Sequence, residues 1–193
     1  NLFEDEEGII WIGTKSGELN RYDPTTDKFT SWKIKSDVLN ENSITSIYKD
    51  KFGKIWIGTY SSGLFRFDYK TEELMNWRNT IDNLHVITAN HITSIIEHKG
   101  NLLFSTYAGL NIFDYQNFEK PTKKIYKNPA NRGSIENIFW RLTTSNQFPD
   151  KVWIGAADGL LLFNSVNDSL TSIEIPNQTN LQFGSSSNNI IET

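Results

Sequence analysis

Lys54-Ile55-Trp56-Ile57-Gly58-Thr59 is the stretch that decides the fold, because the chain repeats it. Ile9-Ile10-Trp11-Ile12-Gly13-Thr14 and Lys151-Val152-Trp153-Ile154-Gly155-Ala156 echo it, and Asn101-Leu102-Leu103-Phe104-Ser105-Thr106 is a weaker copy. A turn glycine follows each copy: Gly17, Gly63, Gly109 and Gly159, spaced 46, 46 and 50 residues apart. Self-similarity at this period marks a repeat architecture before any single residue is weighed.

Outward from Trp56, the second repeat reads as four strands. Ile44-Thr45-Ser46-Ile47-Tyr48-Lys49 is rich in β-branched residues, and Asp50-Lys51-Phe52-Gly53 is a turn. Ile55 to Thr59 is apolar on both faces, as a strand needs to be when neither face meets water. Ser61-Ser62-Gly63 turns the chain, with Gly63 able to take a positive φ at low cost. Leu64 to Asp68 is a third strand, and Met75 to Arg78 a fourth, more polar and nearer the rim. Third strands recur at Glu18–Asp23, Leu110–Asp114 and Leu160–Asn164, and fourth strands at Phe29–Trp32, Lys124–Tyr126 and Leu170–Ile173. No segment carries a 3.6-residue apolar period.

A lone four-stranded meander leaves a face wet, whereas radial stacking of copies buries both faces. The predicted fold is therefore all-β: a β-propeller of about four blades, each a four-stranded antiparallel meander. The repeats run over 1-42, 43-90, 91-133 and 134-187, with a further repeat starting at 188-193. Asn1 to Asp5 aligns with Ser46 to Asp50, and Asn189 to Thr193 with Ser43 to Ile47. The expectation is a fragment of a larger, seven-bladed propeller, completed by the remainder of the propeller or by a second chain. The alternatives are closure as a four-bladed ring and a sandwich of unrelated hairpins.

The 193 residues carry 19 Lys and Arg against 23 Asp and Glu, a net charge of −4, with the lysines scattered. That leaves no electrostatic footprint for nucleic acid. The basic stretch Lys120 to Lys127 reads as an edge that discourages strand pairing. No run of about 18 apolar residues exists, so no membrane contact by this segment is expected. The chain has no cysteine. Trp11, Trp56 and Trp153 on second strands read as packing between blades, while Trp32 and Trp77 form a parallel set on fourth strands and Trp140 lies on a first strand. Asp5-Glu6-Glu7 reads as a solvated turn rather than a calcium site, and His85, His91 and His98 as surface or hydrogen-bonded histidines. There is no phosphate loop and no nucleophile elbow. Catalytic residues, metal ligands and cofactors are each expected to be none.

In a meander the turn between second and third strands lies at the same end as the link to the next blade. Lys15, Tyr60, Tyr107 and Asp158 come from those turns, and Asn40, His85, His91, Asn131 and Arg132 from the links. Polar loops on a rigid scaffold are where binding residues concentrate. Tyr60, Tyr107, Arg132, His85 and Asn131 are the candidate ligand-binding residues. Aromatic faces stack on sugar rings and amides meet hydroxyls, so the set suits an oligosaccharide.

The stretch SITSIYKDKFGKIWIGTYSSGLFRFDYKTEELMNW, residues 43–77, resembles the two-component regulator propeller repeat, and the resemblance extends over essentially the whole chain. That resemblance implies the extracytoplasmic sensor region of a bacterial hybrid two-component histidine kinase. There, seven-bladed propellers precede an immunoglobulin-like domain, a membrane helix and a kinase, often with a receiver and a DNA-binding module. It implies periplasmic placement and a role in sensing oligosaccharides to switch on polysaccharide-utilisation genes. The third repeat departs from the pattern at Leu103 and Ser105. The fourth departs through the insertion Thr144 to Pro149 and at Ala156 and Asn164. The expected function is a non-catalytic sensor segment, the parent protein carrying the histidine kinase. The alternatives are a propeller lyase or hydrolase and a purely structural interaction propeller, since this fold hosts many functions.

Overall fold

The computed structural model describes residues 1–34, 43–82, 86–115 and 120–174. Among them the chain is all-β apart from one 3-10 turn at Ile135–Asn137. Four four-stranded sheets form, each an antiparallel meander in sequence order. Sheet I holds β1 Leu2–Glu4, β2 Ile10–Gly13, β3 Glu18–Asp23 and β4 Lys28–Lys33. Sheet II holds β5 Ile44–Lys49, β6 Ile55–Thr59, β7 Leu64–Asp68 and β8 Glu73–Trp77. Sheet III holds β9 Ile92–His98, β10 Asn101–Thr106, β11 Gly109–Asp114 and β12 Lys123–Ile125. Sheet IV holds β13 Phe139–Thr144, β14 Lys151–Ala156, β15 Gly159–Asn164 and β16 Ser169–Ile173. Four such sheets, repeated in register with the sequence period, are propeller blades. The expected second strands thus stand where the repeat placed them. The aligned C-terminal half-strand at 189–193 lies outside the described residues. The chain divides into two compact units, Asn1–Ile95 and Ile96–Thr193, with the division inside β9.

In the first unit, sheets I and II share a core of Trp11, Leu19, Ile44, Ile47, Ile55, Ile57, Phe65 and Phe67. Every residue of β6 is buried, as its uninterrupted apolar run requires. The glycine closing the repeated motif is where the next strand approaches. A Cβ on Gly13 would lie 2.3 Å from Ile44 Cγ2, and one on Gly58 2.7 Å from Ile92 Cγ2. Gly63, at φ 79°, takes the left-handed conformation its turn demands, and a Cβ there would meet the Trp77 carbonyl at 2.2 Å.

The acidic turn departs from expectation. Glu6 and Glu7 are exposed, but Asp5 is buried. Its carboxylate accepts from the Trp11 indole Nε1 at 2.9 Å, the Ile9 amide at 3.1 Å, the Glu7 amide at 3.0 Å and Lys49 Nζ at 2.9 Å. Asp50 repeats the arrangement, accepting from Trp56 Nε1 at 2.8 Å, the Lys54 amide at 2.8 Å and the Phe52 amide at 2.9 Å. A buried indole N–H and two turn amides need an acceptor, and one carboxylate six residues upstream serves all three. What reads as a solvated turn is therefore a staple between a turn and a core tryptophan.

In the second unit, sheets III and IV share Leu103, Leu110, Ile112, Phe139, Leu142, Val152, Ile154, Leu161 and Phe163. Here β14 alternates: Val152, Ile154 and Ala156 are buried, while Trp153 is only half-buried. The expectation that Trp153 matches Trp56 as a core residue is corrected. The face of β14 that meets sheet III carries Val152 and Ile154, and the period of two puts Trp153 on the other face.

Candidate functional site

Every link between blades must return the chain to a first strand, and asparagine pairs hold two of these returns. In the first unit the Asn79 amide donates to Asn90 Oδ1 at 2.7 Å, and Asn90 Nδ2 donates to the Asn79 carbonyl at 2.9 Å. Asn79 in turn brackets Ile87, whose amide donates to Asn79 Oδ1 at 3.1 Å while Asn79 Nδ2 donates to its carbonyl at 2.9 Å. The second unit repeats the clasp: the Asn128 amide donates to Asn137 Oδ1 at 2.8 Å, and Asn137 Nδ2 donates to the Asn128 carbonyl at 3.1 Å. An amide side chain offers an acceptor and donors together, so it can mimic a strand pair where no strand runs. Backbone bonds then tie the blade turns to these links, from the Tyr60 amide to Ser43 O and from the Gly63 amide to Asn90 O, both at 3.0 Å.

The candidate binding residues sit on this held frame. In the first unit Tyr60 is 47% exposed, and its ring lies 4.3 Å from that of His91, tilted by 51°. Burial pushes the His91 imidazole down to about 4, so it is uncharged near neutral pH. His85 lies outside the described residues. In the second unit Tyr107 is half-buried and meets the edge of Trp140 at 5.0 Å and 80°. The Trp140 Nε1 donor is buried with no hydrogen-bond partner among the described residues. Arg132 is exposed, its guanidinium 4.9 Å from the Tyr126 ring centroid. Asn131 is exposed, its amide donating to Asn128 Oδ1 at 3.0 Å and its carbonyl accepting from Asn137 Nδ2 at 2.9 Å.

Sequence reasoning named Tyr60, Tyr107, Asn131 and Arg132 but missed the rings that back them, His91 as a partner of Tyr60, Trp140 and Tyr126. It also missed the asparagine clasps. A signal for those exists: Asn42, Asn90, Asn137 and Asn188 hold the same place in the repeat, two residues before Ile44, Ile92, Phe139 and Ile190. Asn42 and Asn188 lie outside the described residues. Among the described residues no group of three or more His, Asp or Glu is placed to hold a metal ion. No helix among them is long and apolar enough to cross a membrane.

The comparisons agree with the architecture. The family model for the two component regulator propeller matches residues 38–61, which span the second repeat from its incoming link through β6. The structure is similar to the extracellular domain of the putative hybrid two component system BT3049 from B. thetaiotaomicron. That likeness has a TM-score of 0.70 at 22% identity, over 91% of this chain and 24% of that one. The extracellular domain of the putative hybrid two component system BT4673 from the same organism gives a TM-score of 0.67 at 22% identity, over 89% of this chain and 24% of that one. Virginiamycin B lyase from Staphylococcus aureus gives 0.68 at 11% identity, over 91% of this chain and 55% of that one. At these identities the likeness is one of fold. The chain spans about a quarter of the length of the two extracellular domains. No curated protein matches it by sequence.

Proposed function

We propose that this chain is a non-catalytic segment of the periplasmic sensor region of a hybrid two-component receptor, and that it senses an oligosaccharide and so regulates polysaccharide-utilisation genes. The observation that carries the reading is the shared fold over 91% of the chain with an extracellular domain of a putative hybrid two component system. The match of residues 38–61 to the regulator-propeller model supports it. The remainder of the propeller, or a second chain, completes the assembly in this reading, and the histidine kinase lies elsewhere in the parent protein. The candidate contacts fall unit by unit: in the first, the Tyr60 face for stacking; in the second, the Tyr107 face with the Asn131 amide and the Arg132 guanidinium for hydroxyls. The ligand acts by binding one receptor conformation better than the other.

The test uses the full-length receptor. Tyr60→Ala together with Tyr107→Ala is expected to weaken glycan binding, measured by calorimetry, and reporter induction in parallel. Unchanged affinity and induction in a folded receptor would remove these loops from the site. A second reading, a propeller lyase, is favoured by the likeness to virginiamycin B lyase. Cleavage of the same glycans by the purified protein would select it.

A further inference from the structure

In the first unit an aromatic cluster seals the seam between sheets I and II. Trp11 stacks on Trp32 at 6.2 Å and meets Tyr69 edge-on at 5.3 Å. Trp32 also meets Phe67 at 5.6 Å and Tyr69 at 6.3 Å. Strand register identifies the counterparts in the second unit. Leu103 holds the place of Trp11 in the motif strand. Ile125 holds that of Trp32, since Leu110 pairs with Ile125 as Leu19 pairs with Trp32. Ser165 follows β15 as Tyr69 follows β7, and Phe163 stands where Phe67 stands. Three of the four rings have become Leu, Ile and Ser.

A cleft of about 370 Å³ lies at the seam between sheets III and IV. Leu103, Ile112 and Phe163 form its floor and are almost fully buried, and His98, Asn101, Thr122 and Ser165 give it a polar lining. That volume is within the range of small-molecule sites, roughly 300–1,000 Å³. Its polar end is His98, which is buried, with Nε2 2.9 Å from Ser165 Oγ. His98 occupies the place from which Asp5 and Asp50 receive an indole N–H in the first two blades. The two lysines at the cleft are paired, Lys123 with Asp168 at 2.7 Å and Lys99 with Asp150, and Asp114 also lines it. It lies at the end of β10 away from Tyr107, on residues that the proposed sugar contacts do not use.

We propose that this cleft binds a small planar aromatic or heteroaromatic molecule of one or two fused rings, its polar edge toward His98 and Ser165. The ring sits over Leu103 and beside Ser165, the places that Trp11 and Tyr69 hold between sheets I and II.

Indole is the probe and glucose the non-aromatic control, titrated into the full chain and followed by amide chemical shifts. The expected result is saturable shifts at Leu103, Ile112 and Phe163 with indole and none there with glucose. Leu103→Trp fills the cleft from one wall and Ser165→Tyr from the other. Either variant, once folded, is expected to weaken indole binding by about tenfold or more, the equivalent of about 1.4 kcal/mol. Absence of saturable indole shifts at these residues in the unaltered chain would overturn the proposal. So would glucose binding there in preference, or an indole affinity that survives in whichever variant folds.

Discussion

Trp56 shows how one side chain joins two requirements. Its indole is fully buried in β6, stacked on Trp77 at 5.4 Å, and its N–H is delivered to Asp50 at 2.8 Å. Trp56→Ala is expected to cost about 3–5 kcal/mol, the usual range for a buried aromatic truncation. Trp56→Phe keeps most of the apolar contact but leaves the Asp50 carboxylate a donor short, and about 1–3 kcal/mol is expected. Urea denaturation with an unchanged m-value measures both; a midpoint unmoved in Trp56→Ala would place the indole in water. Gly13 is the complementary case, where the smallest side chain is required. An added methyl meets Ile44 Cγ2 at 2.3 Å and Cβ at 2.7 Å, atoms of a branched side chain that cannot swing aside. Gly13→Ala is expected to cost about 1–3 kcal/mol by overpacking; the strand could be read from its apolar run, but this requirement could not, because the colliding residue belongs to the next repeat.

Two of the links between blades carry no strand among their described residues, yet each is held by a pair of asparagine amides. Asn90→Ala removes both bonds to Asn79 and strands the Asn79 amide and carbonyl. Asn137→Ala does the same to Asn128. Each substitution is expected to cost about 1–3 kcal/mol, the penalty of unsatisfied backbone groups. Amide exchange at Asn79 or Asn128 is expected to quicken while that of β6 or β14 stays slow, since local opening need not spread. Exchange unchanged at the clasped amide would show that the backbone alone holds the link. The recurrent asparagine was visible before folding. Its role was not, because an asparagine ahead of a strand is equally at home in an ordinary turn.

Across the molecule, protonation couples several of these contacts to stability. Burial works to raise the Asp5 carboxyl, but the Trp11 indole, the Lys49 ammonium and the Ile9 and Glu7 amides outweigh it, and the net direction is down. The Lys54 ammonium, with the Lys70 amide, holds Asp68 at about 2 against an ordinary 3.8. Burial lowers His91 from 6.5 to about 4, and burial with the nearby Lys99 lowers His98. All four groups bind protons more weakly folded than unfolded, so each stabilises the fold above its unfolded value and loses that contribution as pH falls through its folded one. The expected urea midpoint is flat from about pH 6.5 up to the alkaline range where Lys49, Lys124 and Tyr22 titrate, declines between 6.5 and about 4 as the histidines charge, and falls again toward about 2 as the carboxylates protonate. The His91 ring resonance is expected to titrate near 4; a midpoint near 6.5 would mean the imidazole faces water.

The period of the motif, the strands inside it and their meander order were all determined by the sequence alone. Those features are local: an apolar run, a β-branched run and a turn glycine are each written within a few residues, and repetition multiplies the signal. The loop positions of Tyr60, Tyr107, Asn131 and Arg132 followed from strand alternation for the same reason. Only the tertiary structure decided that Asp5 and Asp50 are buried acceptors. It also decided that Trp153 is half out of the core, that Trp140 backs Tyr107, and that His98 meets Ser165 67 residues away. These outcomes depend on which residues of one sheet face those of the next, and on whether the facing volumes fill the seam. Trp11, Trp32 and Tyr69 fill it in the first unit, whereas in the second a cleft lies over Leu103 and beside Ser165. That difference is one of packing across a whole period, where no short stretch of sequence carries both sides of the contact.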